Sequence, residues 1–292
     1  MRIVRLLSLT FLVICTVVFA REASAQAWGQ PPGAYFLKFS GNYLFTREEF
    51  SVTGDKQPIA ADDVRISDAW FRDVSFYGYV EYGLHERATV VSSLPLKLLT
   101  SEFTQDPGGG LPTRRVRVSN SGAGDWWTWL RTPVVTRPLA VAFQSGIKIP
   151  LYSQPPNEGF LSVPPLGTGS VDAEVGVYLG LSLYPLSGYT SGGVAYRVRG
   201  GDVHDEIPFN IEAGYTFGPL FTKVRLDGVY NTEGVGGSVI AGDENYVKLS
   251  PTVAYSFSKH FVLGFEAFHV LAGKNTIAGT AYSLGLVWLG GP

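Results

Sequence analysis

Cysteine, methionine, histidine and charge are all scarce in this chain of 292 residues. There is one cysteine, Cys15, so no disulfide framework holds the fold. Ile14 precedes it where lipidation would need a small residue, which excludes a lipoprotein. The four histidines, His85, His204, His260 and His269, show no metal-ligand spacing, and no cofactor motif appears. Charged residues make up 16%, against about 25% in a typical soluble domain. The formal net charge of −2 leaves no electrostatic case for nucleic acid. After residue 25 no apolar run approaches the length of a membrane-spanning helix.

The first 25 residues have the layout of a secretory signal peptide. Arg2 and Arg5 are basic, Leu6 to Ala20 is apolar, and Ala23-Ser24-Ala25 is a small-x-small site. Cleavage after Ala25 would reduce Lys plus Arg from 23 to 20 and Asp plus Glu from 25 to 24, for a net charge of −4. Residues 26–33 are expected to form a short periplasmic segment, and residues 34–292 the body of the protein.

What the chain does have is glycine (35 residues), aromatics (13%) and alternation. From Val171 to Leu183 the odd positions are all aliphatic or alanine, while Asp172, Glu174, Gly176 and Ser182 lie between them. A helix would mix the two sets. A strand sends them to opposite faces. Twelve segments read this way: 34–45, 70–83, 88–99, 124–131, 139–150, 171–184, 189–199, 208–217, 220–231, 245–257, 260–271 and 276–289. Connections after even-numbered segments are short ("LHER", "PLSG", "GP", "SK"). Those after odd-numbered segments are mostly long, notably 46–69, 100–123, 151–170 and 232–244. Loops sorted by parity are the signature of a transmembrane antiparallel up-and-down β-barrel of the outer membrane, with both termini periplasmic. An all-β barrel of about 12 strands in a Gram-negative outer membrane is therefore expected. Its partners would be outer-membrane lipid and the assembly machinery that inserts such barrels, and it would be a monomer. Tyr35, Phe45, Tyr82, Phe217, Tyr230, Phe257 and Trp288 lie near strand ends, as interfacial girdles require.

The inward positions carry a ladder of alternating sign: Lys148, Asp172, Glu174, Arg197, Arg199, Glu212, Lys223, Arg225 and Asp227. Such a ladder either stiffens the wall through cross-strand pairs or forms a constriction that orients a solute. Twelve strands about 4.8 Å apart, tilted about 40°, give a backbone diameter of roughly 24 Å. With Tyr178, Phe221 and Phe268 inside, and with Gln26–Gly33 placed to narrow the bore further, a wide porin is excluded. A lipid-modifying enzyme would need a base and a hydroxyl nucleophile on the lipid face. His269 is the best-placed base, but its neighbours Val270 and Leu271 offer no hydroxyl, so no enzyme is expected.

Gly122 to Gly200 resembles a known family. "GAGDWWTWLRTPVV", "LAVAFQSGIKIPLYS", "LGTGSVDAEVGVYLGLSL" and "GYTSGGVAYRVRG" follow in the order of its blocks, with matching positions Gly124, Asp125, Pro150, Gly167, Thr168, Gly169, Ser170 and Asp172. The family comprises outer-membrane channels associated with the meta-cleavage pathway of phenol degradation, grouped with the fatty-acid and aromatic-hydrocarbon channels. The resemblance implies uptake of small, rather apolar molecules. The chain has no room for a hatch like that of the larger fatty-acid channels. A narrow passive channel for small hydrophobic or aromatic compounds is thus the expected function. The alternative is a structural or adhesive barrel that works through its long outer loops without transport.

Overall fold

The computed structural model describes residues 27–60, 63, 65–153, 163–201, 203–234 and 243–292. The expected signal peptide and its cleavage site lie outside them. The strands are β1 (Tyr35–Thr46), β2 (Glu48–Phe50), β3 (Lys56–Pro58), β4 (Ile66–His85), β5 (Ala88–Gln105), β6 (Arg114–Ala123), β7 (Asp125–Val135), β8 (Leu139–Pro150), β9 (Asp172–Ser182), β10 (Gly188–Val198), β11 (Glu206–Phe217), β12 (Leu220–Asn231), β13 (Asn245–Ser256), β14 (Phe261–Lys274), β15 (Thr276–Ala278) and β16 (Thr280–Gly290). Twelve of them form a closed antiparallel barrel, which runs from β4 through β1, β16 and β14 down to β7 and β5 and closes by the pairing of β4 with β5. The first and last barrel strands meet along their length, from Tyr35 opposite Gly290 to Leu44 opposite Ala281. β15, β2 and β3 form a small sheet joining the first and last outer connections.

Alternation is the cause of the closure. In β9 every even residue from Asp172 to Gly180 is buried, while Ala173, Val175, Leu179 and Leu181 are exposed. The exposed set is hydrocarbon-facing, and the buried set lines the lumen. The inner glycines have a packing reason. A Cβ on Gly193 would lie 2.2 Å from the Tyr178 ring, one on Gly214 2.4 Å from Tyr189, and one on Gly146 2.1 Å from Trp129. Each ring lies flat over a neighbouring glycine, so the lumen holds aromatics without bursting its wall.

One expectation changes. The segments at 70–83 and 88–99 extend outward to Ile66 and Gln105, and much of the expected loop 100–123 is strand, paired as β5 with β6 from Leu96 opposite Ala123 to Gln105 opposite Arg114. These residues rise beyond the membrane and still bury one face. Phe71, Leu99 and Phe103 form a core with Ile59, Ala69 and Leu166, against which Val116 and Val118 pack. At Gly124 the strand breaks. β7 pairs with β5 only as far as Trp127 opposite Ser93, and Gly124 N–H donates to the Pro95 carbonyl at 2.9 Å. A proline and a glycine facing each other interrupt the ladder, as such residues do at bulges. At the N-terminus, within the segment expected to narrow the bore, Ala27 and Trp28 pack on lumen-facing Ala140 and Tyr178.

Val175 is 58% exposed on the outer face of β9. Replacing it by arginine is expected to destabilise the barrel by about 2–4 kcal/mol if placed near mid-depth. Equilibrium unfolding in phospholipid vesicles reads this; no loss would mean that this face does not meet hydrocarbon.

Candidate functional site

The lumen contains a stopper at its inner end, an ionic wall and an apolar mouth. The stopper is residues 27–30. A buried clamp holds it: the Arg131 guanidinium, 1% exposed, donates from Nη1 to the Trp28 carbonyl at 3.1 Å, from Nε to Gln144 Oε1 at 3.1 Å and from Nη2 to Glu81 Oε1 at 3.3 Å. Tyr79 Oη donates to the same Glu81 oxygen at 2.5 Å. Gln30 Nε2 donates to Glu81 Oε2 at 2.9 Å, and Gln30 N–H donates to Thr89 Oγ1 at 2.8 Å. The Trp28 ring reaches across to β9, where a Cβ on Gly180 would lie 2.4 Å from it, and meets Tyr189 edge-on at 6.1 Å. At the rim, Gly33 N–H donates to the Gly83 carbonyl at 2.8 Å and Gly83 N–H to the Ala34 carbonyl at 2.9 Å. The expected site residues did not include Glu81, Arg131 or Gln144. Their signal was present, since each is polar at an inward position near a tight turn.

All nine ladder residues lie on the wall from β8 to β12, in three groups. The largest runs through Lys148–Asp172 (2.5 Å), Arg199–Asp172 (3.7 Å), Arg199–Glu206 (2.5 Å), Arg197–Glu206 (2.8 Å) and Arg197–Glu174 (2.8 Å). Lys223 pairs with Glu212 at 3.3 Å, and Tyr189 Oη donates to Glu212 at 2.8 Å. Arg225 and Lys248 share Asp227 at 3.3 and 3.2 Å. Register explains the pairing: Asp172 faces Lys148, Glu174 faces Arg197, and Arg197 faces Glu206. Glu206, absent from the expected ladder, bridges two arginines. Two tryptophans complete the wall. Trp127 and Trp129 stack at 4.9 Å, Arg197 lies over Trp127 at 4.7 Å, and Trp129 Nε1 donates to Glu174 at 3.1 Å.

The family-like positions, scattered over 49 residues of sequence, converge at the outer end of β7 to β9. Tyr152 Oη donates to Asp125 at 2.8 Å and accepts from Gly169 N–H at 2.8 Å. Burial and the Asp125 carboxylate push this phenol well above its ordinary pKa, so it remains a donor. Lys148 Nζ reaches Thr168 Oγ1 and lies 3.5 Å from Asp125, while Ser170 Oγ donates to Asp172 at 3.0 Å. A Cβ on Gly167 would fall 2.3 Å from Asp125 Oδ2. Pro150 ends β8 opposite Asp125. The cluster fastens the 163–170 stretch over the free edge of β6, where Asn120 donates to the Pro164 carbonyl at 2.9 Å and Leu166 joins the apolar core.

That core forms the third part. Ile59 from the first outer connection and Leu166 from the third are packed with Phe71, Leu99 and Phe103, and partly buried Leu44, Tyr152 and Ile277 surround them. The mouth is thus apolar over β4 to β6 and ionic over β8 to β11. His269 Nδ1 lies 2.8 Å from Thr280 Oγ1, a hydroxyl supplied by β16 that its own strand lacks.

No family model matches the sequence, and no curated protein does. Among solved structures the chain is similar to the COG4313 outer membrane channel from Pseudomonas putida F1, with a TM-score of 0.67, 12% identity, and coverage of 90% of this chain and 98% of that one. At that identity the likeness establishes the fold. The Ralstonia pickettii toluene transporter TbuX (TM-score 0.45, 11% identity, 90% of each chain) and the Escherichia coli outer membrane phospholipase A (0.42, 11%, 88% of this chain and 93% of that one) are more distant.

Two outcomes are expected here. Gly180→Leu removes the seat of Trp28, so single-channel conductance in planar bilayers should rise while heat-modifiable migration stays that of a folded barrel. An unchanged conductance would show that the segment does not restrict the lumen. Lys148→Met removes the nearest cation from half-buried Asp125 and from buried Asp172, which keeps Arg199 at 3.7 Å, at a cost of up to about 3–5 kcal/mol. Unfolding in vesicles measures it, and a neutral result would reduce the ladder to decoration.

Proposed function

We propose that the chain is a passive outer-membrane channel of a Gram-negative bacterium, acting as a monomer on small hydrophobic or aromatic compounds. The observation that carries this reading is the apolar core in the outer mouth, built from Ile59, Phe71, Leu99, Phe103 and Leu166. An apolar solute gains roughly 25 cal/mol per Å² of its surface removed from water, enough to be captured and too little to be trapped. Each charge of the ionic wall has an opposite charge within 4 Å, so the wall offers no excess of one sign to an ion. Onward passage requires displacement of the Trp28 stopper. The long connections turn Ile59 and Leu166 inward, which favours transport over an adhesive role.

The test must use intact cells, because toluene crosses a bare phospholipid bilayer unaided and the polar outer face of the outer membrane is the barrier of interest. Initial uptake of radiolabelled toluene should be faster in cells that express the protein than in cells that lack it. Phe103→Asp, which places a carboxylate in the mouth, should return uptake to the level without protein while the barrel remains folded in the membrane fraction. Equal uptake by all three strains would end this reading.

A further inference from the structure

The lumen balances its charges, but one outer surface does not. β4, β5 and β6 rise above their neighbours, and the outward face of this extension continues the parity of lipid-facing Phe76, Leu96 and Leu98. It presents Arg72 opposite Thr100 and Ser119, then Trp70 opposite Glu102 and Arg117, then Thr104 opposite Arg115. The height follows from the strand. Ten residues separate Tyr82 from Arg72 on β4; at about 3.3 Å each and a tilt of about 40° they climb about 25 Å, the height of a barrel's apolar band. The aromatic boundary is marked there, with Phe45 5.6 Å from Trp70 and 43% exposed. The three guanidiniums therefore stand where hydrocarbon gives way to headgroups.

Their chemistry is incomplete. Among the described residues one carboxylate pairs with the cluster: Glu102 bonds Arg115 and lies 3.8 Å from Arg117. Its side chain is only 13% exposed, whereas those of Arg115 and Arg117 are 66% and 57% exposed. Arg72 and Arg117 both lie about Trp70, at 6.0 and 5.9 Å from its ring centroid. Arg72 donates to Thr100 at 3.4 Å, but its Nε is buried and has no hydrogen-bond partner. Three cations, one anion, a tryptophan beside two of the cations and the exposed hydroxyl of Ser121 form a concentrated donor surface on the lipid side, while exposed Ser119 donates to buried Thr100. A guanidinium fork matches phosphate oxygens bidentately.

We infer that this face binds a phosphate of the outer leaflet's phosphorylated glycolipid, with Arg115 and Arg117 as the principal donors, Arg72 supporting from below and Trp70 holding their geometry. A soluble phosphate has no acyl chains, whereas a glycolipid docked here lays its chains along Phe76, Leu96 and Leu98 just beneath. The inference rests on the outer-membrane placement and is independent of the solute the lumen passes.

The experiment uses the full-length mature barrel in detergent, offered bisphosphorylated lipid A or the same lipid stripped of phosphate, with bound lipid per barrel read by native mass spectrometry. The intact protein should retain the phosphorylated form in preference. The double variant R115Q/R117Q should lose at least about tenfold in retention, the least expected from forfeiting one charge-assisted contact. R114Q alters an exposed arginine of opposite parity that donates to Gln105 at 3.0 and 2.8 Å, and should leave retention unchanged. Heat-modifiable migration confirms that each variant is folded. Equal retention of the dephosphorylated lipid, equal retention by the double variant, or an equal loss in R114Q would each overturn the inference, and none of these bears on toluene uptake.

Discussion

A backbone amide in hydrocarbon has no water to bond, and leaving it unpaired costs several kcal/mol. A sheet placed there must therefore have no free edge, and here Tyr35–Leu44 closes the ring against Ala281–Gly290. Closure has a consequence for every side chain. Once the ring is shut, adjacent residues meet different surroundings, and each strand has to satisfy both. The exposed valines and leucines of β9 and the carboxylates between them are two answers to that one requirement. The inner glycines are a third, because a ring of this size has room for Tyr178, Tyr189 and Trp129 only where the adjacent position carries no side chain.

The charges on the inner wall are best understood as a consequence of the same closure. Strands in fixed register bring Lys148 against Asp172 and Arg197 against both Glu174 and Glu206. Charges held this way, largely out of water, are costly to separate. They define a rigid side of the barrel, to which the 163–170 stretch is tied through Asp125, Tyr152 and Lys148. The opposite side of the mouth is held by Phe71, Leu99 and Phe103, which contact loop residues without direction. Non-directional packing can rearrange around a guest, whereas a register-locked ion network cannot. The outer mouth thus combines a fixed wall with an adaptable one.

Legibility in the sequence followed the reach of each interaction. Parity is local, so the closed antiparallel barrel and the inward placement of Asp172, Glu174, Lys223 and Asp227 could be read from alternation alone. Pairing partners are not local. Glu206 begins a strand eight residues after Val198, and nothing in that spacing says that it bridges Arg197 and Arg199. The extension of β5 and β6 was missed for a related reason. Outside the membrane no rule forces apolar residues outward, so the stretch 100–123 looks like a polar loop until Phe103, Val116 and Val118 find Ile59 and Leu166. Residues 27–30 carry no periodicity. Their position just before the first strand let them be expected to narrow the bore, but not that Arg131 and Glu81, inward charges outside the ladder, hold them there.

What decides whether that piece of backbone stays is the balance of small terms. Fixing a residue costs about 1–2 kcal/mol, and a hydrogen bond returns about 0.5–1.5. Three bonds from the wall to residues 28–30 therefore do little more than offset the ordering of those residues. The surplus must come from the Trp28 ring, an indole that buries on the order of 150–250 Å² of surface. At about 25 cal/mol per Å² the ring is worth about 4–6 kcal/mol, an upper bound that lipid or solute contact in the lumen would reduce. An apolar solute in the lumen offers that ring a competing surface, and an ion does not. Held by an aromatic ring over Gly180 in place of a salt bridge, the stopper would yield most readily to the apolar solutes proposed for this channel.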